Sequence, residues 1–197
     1  MTRKGISLCI FVILFCIGIE AWAGEKSPNR IVSEKLIASI DSSSWIPESL
    51  KVSPDSRRVA YVATVGNKWS VVLDGKGEKQ YDGIMPGTPI FSPDSRRVAY
   101  AAQEGDKFFV VIDGKEDKQY DGIAKGILFF SPGSKRVAYA AQEGDKQFVV
   151  VDGKEGKQYD GFLEGARIIF DSPHTFHYLA IKVKERNNIY LVEEKIQ

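Results

Sequence analysis

The sequence predicts an all-β fold: a β-propeller of about four four-stranded antiparallel blades, built from 39-residue repeats. Three observations predict it. First, SPDSRRVAYAAQEGDKFFVVIDGKEDKQYDGI, which starts at Ser92, recurs with few changes from Ser53 and from Ser131, at a constant step of 39 residues. A period in this range signals a solenoid, a propeller or an array, and four strands in about 40–45 residues is the usual size of a propeller blade. Second, each copy alternates short apolar runs with turn signals, and no run is long enough for a typical helix. Third, polarity changes across the copy. The run Phe108–Ile112 is apolar on both faces, as a strand covered on both sides must be. Lys118-Gln119-Tyr120 is short and polar, as suits an outer rim.

The middle copy shows each element. Thr88-Pro89-Ile90-Phe91 is an inner strand, and Ser92-Pro93-Asp94-Ser95 is a turn. There Pro presets φ, and the Ser and Asp side chains bond nearby backbone amides. Arg97 to Gln103 is the second strand and Glu104-Gly105-Asp106 the next turn. Phe108–Ile112, rich in β-formers, is the third strand. Asp113-Gly114 is a hairpin signal, because Gly accepts φ > 0 without steric cost. Tyr81, Tyr120 and Tyr159 close each copy and are expected to pack on the following blade, with Asp82-Gly83, Asp121-Gly122 and Asp160-Gly161 as exit turns.

In chain order, residues 1–23 read as a signal peptide. Arg3 and Lys4 precede an apolar core from Ile6 to Ile19, and Ala21-Trp22-Ala23 supplies a small-residue cleavage site before Gly24. The core is short of the ~20 residues a spanning helix needs, so no membrane insertion is expected after cleavage. Cys9 and Cys16 leave with this segment, and with them any disulfide, thiol nucleophile or thiolate ligand. Loss of Arg3, Lys4 and Glu20 also brings the 27 basic and 26 acidic residues to equal numbers. No net charge then favours nucleic acid or anionic membrane. Residues 24–33 are a polar leader, and 34–197 form the propeller domain, with blades over about 46–84, 85–123, 124–162 and 163–197.

The last copy is degenerate. Arg167–Phe170, Tyr178–Val183 and Ile189–Val192 give three strands, with no fourth. A spare strand-like stretch lies near 34–40. The expectation is that it pairs with residues near 189–193 and closes the ring, because closure removes exposed edges. An open arc of blades is the alternative.

SPDSRRVAY at Ser53 and Ser92, and SPGSKRVAY at Ser131, resemble the SPDG-type WD40-like repeat of the TolB-type propeller class. Ser56, Ser95 and Ser134 stand where that repeat usually has Gly, and Gly133 where it has Asp. The class usually has six or more blades, against about four here. With the leader, the resemblance implies a periplasmic or secreted protein of the bacterial envelope.

No catalytic constellation is present: there is no Gly-x-Ser-x-Gly elbow and no Gly-rich phosphate loop opening a helix. His174 and His177 are two imidazoles where a zinc site wants three or four ligands, so no metal is expected. Asp113-Gly114-Lys115-Glu116-Asp117 lacks the alternating oxygens and the bidentate Glu of a calcium loop. No cofactor is expected. The paired Arg57-Arg58, Arg96-Arg97 and Lys135-Arg136 read as solvated turn flanks rather than a phosphate stripe.

A unique site must break the repeat, so the positions where copies differ are the candidate partner surface. These are Asn67, Asp106 and Asp145 in the hairpins, the equivalent Trp69, Phe108 and Gln147, and Met85, Lys125 and Glu164 in the connecting stretches. All are expected at one rim. The function these observations favour is a non-catalytic propeller that binds a protein partner in the envelope. The alternatives are carbohydrate or small-ligand binding, through aromatic rows such as the tyrosines, and a propeller module associated with a hydrolase.

Overall fold

A computed structural model describes residues 31–163, 165–183 and 188–196. The expected signal peptide and Glu164 lie outside these residues. Residues 35–197 form one compact unit. Of the unit before it only 31–34 are described, an exposed stretch without regular structure.

The described residues contain no α-helix. They form four antiparallel sheets that follow one another along the chain. The first comprises β1 (Trp45–Val52), β2 (Val59–Val65), β3 (Lys68–Leu73) and β4 (Lys76–Tyr81) in that order. In the second, β5 (Gly83–Ile84) and β6 (Ile90–Phe91) share the inner edge of β7 (Val98–Glu104), followed by β8 (Lys107–Ile112) and β9 (Lys115–Glu116). The third runs β10 (Gly122–Phe130), β11 (Val137–Glu143), β12 (Lys146–Val151), β13 (Lys154–Glu155). In the fourth, β14 (Gly161–Phe162) and β15 (Ile169–Phe170) pair with β16 (Thr175–Lys182), which pairs with β17 (Asn188–Lys195). The architecture is an all-β, propeller-like stack of four blades.

The turns follow from their residues. Asp74-Gly75, Asp113-Gly114 and Asp152-Gly153 have positive φ at both positions, the type I′ geometry whose twist matches a hairpin. Each of these aspartates also caps the start of the second strand: Asp74 accepts from the Val59 amide, Asp113 from Val98 and Asp152 from Val137, all at 3.0 Å. In the Ser-Pro turn the Ser53 hydroxyl accepts from the amides of Arg57 and Arg58 and donates to Asp55. Ser56, Ser95 and Ser134 adopt φ of 57°, 66° and 61°, the left-handed region that glycine favours.

Three apolar clusters hold the sheets together, one at each boundary. Val62, Val71 and Tyr81 meet Val98, Tyr100 and Phe109 between the first and second sheets. Tyr120 and Val110 meet Tyr139 and Phe148 between the second and third. Tyr159 and Val149 meet Phe176 and Tyr178 between the third and fourth. Each closing tyrosine lies edge-on to a tyrosine of the next sheet, with centroids 6.1–6.2 Å apart. Tyr81, Tyr120 and Tyr159 are at most 5 % exposed.

Ring closure by this chain is corrected. Residues 31–40 form no strand, β17 pairs with β16 and no other strand among the described residues, and no apolar cluster joins the fourth sheet to the first. Residues 37–39 lie instead against the first sheet, at Gly75 and Tyr61. The stack is an open arc. The physical reason is one of register: those residues stand at the leading side of the first sheet, where a preceding blade's outer strand belongs.

Candidate partner-binding rim

The second and third strands of the first three sheets are joined by two-residue hairpins at Gly66-Asn67, Gly105-Asp106 and Gly144-Asp145, with the glycines at φ near +60°. These tips share one end of the stack. Aspartates of the exit turns tie them together. Asp82 accepts from the Lys68 ammonium of its own sheet at 2.7 Å and from the Gly105 amide of the next sheet at 2.8 Å. Asp121 does the same with Lys107 and the Gly144 amide, and Asp160 with Lys146 and the Val183 amide. The Lys68 ammonium and the Gly105 amide hold the Asp82 carboxyl below its usual range. For Asp121 the Gly144 amide is the larger influence and Lys107 the second.

The structure separates the predicted site residues into three groups. Asn67, Asp106 and Asp145 are exposed at the tips. Trp69, Phe108 and Gln147 sit one step below them and are only half-exposed. Their side chains tuck towards the following sheet: Trp69 joins the first boundary cluster, Phe108 the second, and the Gln147 side chain accepts from the Phe162 amide. Met85 and Lys125 are not at the tips. The inner strand of each sheet begins earlier than the composition suggests, with Gly83 opposite Gln103 and Gly122 opposite Gln142. Met85-Pro86-Gly87 and Ala124-Lys125-Gly126 are therefore interruptions midway along inner strands, where the register shifts between Ile123 and Leu128. At ~3.3 Å per residue this puts them about 10 Å from the tips.

The opposite end carries a second network that sequence reasoning missed. Arg58, Arg97 and Arg136 are not solvated flanks. Arg58 pairs with Asp74 at 2.8 Å and donates to the carbonyls of Ser95 and Arg96 in the next sheet. Arg97 repeats this with Asp113 and the carbonyls of Ser134 and Lys135, and Arg136 with Asp152 and the Pro173 carbonyl. Arg58 and Arg97 also lie over Phe91 and Phe130. The available signal was the strict recurrence of Arg58 and Asp74 at one spacing in each of the first three copies, which a merely soluble turn does not require. Arg57, Arg96 and Lys135, the other members of each pair, are exposed.

The remaining candidates are structural in their contacts. His177 pairs with Asp171 at 2.9 Å, and His174 lies beside Arg136, so the two imidazoles do not share a partner. Burial pushes the hydroxyls of Tyr100 and Tyr120 up to about 12. The aromatic rows considered for sugar stacking hide their faces in the boundaries between sheets. One symmetry break stands out. Tyr139 donates to Asp117 at 2.9 Å and Tyr178 donates to Glu194, whereas the buried Tyr100 hydroxyl has no hydrogen-bond partner among the described residues. The Tyr100 side chain, with Glu78, Arg58 and Arg97, is among those that line a cavity of about 310 Å³.

No family model and no curated protein matches the chain. Among solved structures, TolB from Acinetobacter baumannii is similar at 12% identity over 76% of this chain and 44% of that one, with a TM-score of 0.38. Hydrazine synthase from Kuenenia stuttgartiensis is similar at 14% identity over 85% of this chain and 54% of that one, with a TM-score of 0.36. The chain spans about half the length of these proteins.

Proposed function

We propose that this chain is an exported, non-catalytic propeller segment that binds a protein partner of the bacterial envelope through its hairpin rim. The observation that carries this reading is a division of labour among the repeated polar residues. Asp82, Asp121, Arg58, Arg97 and Arg136 are consumed in joining sheet to sheet. Asn67 and Asp106 take no part in those bonds and stand exposed beside half-buried Trp69 and Phe108. Exposed polar groups around partly buried aromatic rings are the arrangement from which interface anchors are drawn. The acidic tips at Asp106 and Asp145 favour a basic partner surface.

Photo-crosslinking amino acids placed singly at Asn67, Asp106 and Asp145, in the native cell, test this reading. The same label at Arg57, Arg96 and Lys135, at the other end of the stack, is the control. A discrete protein adduct from the tips alone supports the proposal. No adduct, or the same adducts from both ends, rejects it.

A small polar ligand is the second reading, favoured by the cavity between the first and second sheets, which Tyr100 lines together with Arg58, Arg97 and Glu78. A thermal-shift screen with Tyr100→Phe as the control separates it from the first reading, because it does not involve the hairpin tips.

A further inference from the structure

The two ends of the stack differ, and each lacks what the other carries. At the trailing end, β17 has no strand along its outer edge among the described residues, whereas the first three sheets each carry a fourth strand there. The outward face of the fourth sheet carries an open apolar patch beside the His177–Glu193 and Thr175–Lys195 pairs. Leu179 and Leu191 face each other across the β16–β17 ladder and are 39% and 61% exposed, with Ile189 beside them at 58%. The same ladder position holds Val62 opposite Val71, Ala101 opposite Val110 and Ala140 opposite Val149. Those six are at most 3% exposed, because the next sheet covers them.

At the leading end, residues 37–39 lie where the fourth strand of a preceding blade belongs. A Cβ on Gly114 would meet the Glu78 carboxylate just inside β4 at 3.5 Å, and one on Gly153 the Asp117 carboxylate beside β9 at 3.3 Å. One on Gly75 would meet the backbone of Ala38 at 3.3 Å, within one residue of the position the repeat gives. The Tyr139 hydroxyl reaches Asp117, and its counterpart Tyr61 reaches the carbonyl of Ser39 at 3.5 Å. The positions 39, 78 and 117 follow the repeat. One end therefore offers a segment in the place of a fourth strand but without its sheet, and the other a sheet without its fourth strand among the described residues. The trailing face has Leu179 and Leu191 where the other sheets have Ala or Val, and the leading face of the first sheet has Ser70, 2% exposed, where the next two have Phe109 and Phe148.

We propose that a second copy of this chain fills both gaps. Two copies join head to tail, and the fourth sheet of each docks on the first sheet of the other. Residues 35–40 of each copy become the outer strand on β17 of its partner. Two arcs of four sheets make eight blades with twofold symmetry, within the roughly 4–8 blades that propellers adopt; three arcs would exceed it. A head-to-tail contact that closes in this way leaves no free edge. The ladders between third and fourth strands set the register: Ile112 opposes Lys115 and Val151 opposes Lys154. Leu191 holds in the β16–β17 ladder the place that Val149 holds in the third sheet, so Glu193 corresponds to Val151 and stands opposite Ile37 of the other copy, the counterpart of Lys154.

The test is a double variant, Ile37→Cys with Glu193→Cys, in full-length protein carrying Cys9→Ser and Cys16→Ser. Opposed ladder residues are close enough for a disulfide. Light scattering should give the mass of two copies, and oxidation should yield a covalent dimer on a non-reducing gel. Leu191→Lys should shift the wild-type dimer to monomer with unchanged circular dichroism. A monomeric mass for the wild type overturns the proposal. So does a disulfide formed within a single copy, which would mean closure by one chain. So does a covalent dimer of Glu193→Cys alone, which would mean pairing of β17 with itself.

Discussion

The hydroxyl of Ser95 accepts a hydrogen bond of 3.0 Å from the backbone amide of Asp55, and so ties the turn of the second sheet to that of the first. Ser134 does the same for Asp94 at 2.9 Å. Both serines have positive φ, a conformation that costs an L-residue roughly 1–2 kcal/mol and that glycine adopts freely. The hydroxyl offsets that cost with a bond that glycine cannot make. Ser56 has the same φ, but its hydroxyl has no such donor among the described residues. Ser56→Gly should therefore stabilise the protein by up to about 1 kcal/mol. Ser95→Gly and Ser134→Gly should fall below it by about 1 kcal/mol, the worth of the lost bond. Urea denaturation of the three variants checks the order, and equal shifts would contradict it.

Tyr100 and Tyr139 make a matched pair for the same reason. Tyr139→Phe removes a hydrogen bond to the Asp117 carboxylate and should cost about 1.5–3 kcal/mol. Tyr100→Phe removes a buried hydroxyl that has no hydrogen-bond partner among the described residues, and should change stability by less than about 0.5 kcal/mol or raise it. Urea midpoints of the two variants measured side by side decide the matter.

Phe109 and Phe148 are fully buried at successive boundaries, edge-on to Tyr81 and Tyr120. Truncation to alanine should cost about 3–5 kcal/mol at either position. A loss below about 1 kcal/mol in chemical denaturation would mean that the boundary does not pack as described.

Acid should unfasten the stack at its carboxylates. Lys68 with Gly105 lowers Asp82, Gly144 with Lys107 lowers Asp121, and Lys79 lowers Glu116. A carboxyl whose folded pKa is depressed contributes stability above its unfolded pKa of about 4, and that contribution is lost as pH falls through the folded value. Stability should hold near neutrality and fall below about pH 4. Asp82→Asn should be less stable at pH 7 and show a flatter acid limb in thermal melts across pH 2–7.

Much of this fold is legible in the repeat. The period marks the copies, and Asp74-Gly75 with its two equivalents announces the type I′ hairpins because few other residue pairs tolerate two left-handed positions. Packing of Tyr81, Tyr120 and Tyr159 on the next sheet follows from their place at the end of each copy. The bonds of Arg58 are not legible, because a guanidinium reads alike in a solvated turn and in one clamped to carbonyls 37 and 38 residues away. The placement of Met85 and Lys125 was missed because glycine hides a strand start: Gly83 and Gly122 pair in the ladder although neither favours a strand. Residues 34–40 have the composition of a strand, but a strand needs an adjacent edge, and the only edge the sequence suggested lies at the far end of the arc.

The central claim is that successive copies occupy equivalent places and are joined by the same bonds. Hydrogen exchange resolved to single amides tests it most directly. The Gly105 and Gly144 amides, bonded to Asp82 and Asp121 of the preceding exit turns, should exchange slowly and at similar rates. Gly66, at the equivalent place in the first sheet, has no such carboxylate among the described residues and should exchange fast. Rapid exchange at Gly105 and Gly144, equal to that of Gly66, would contradict the account.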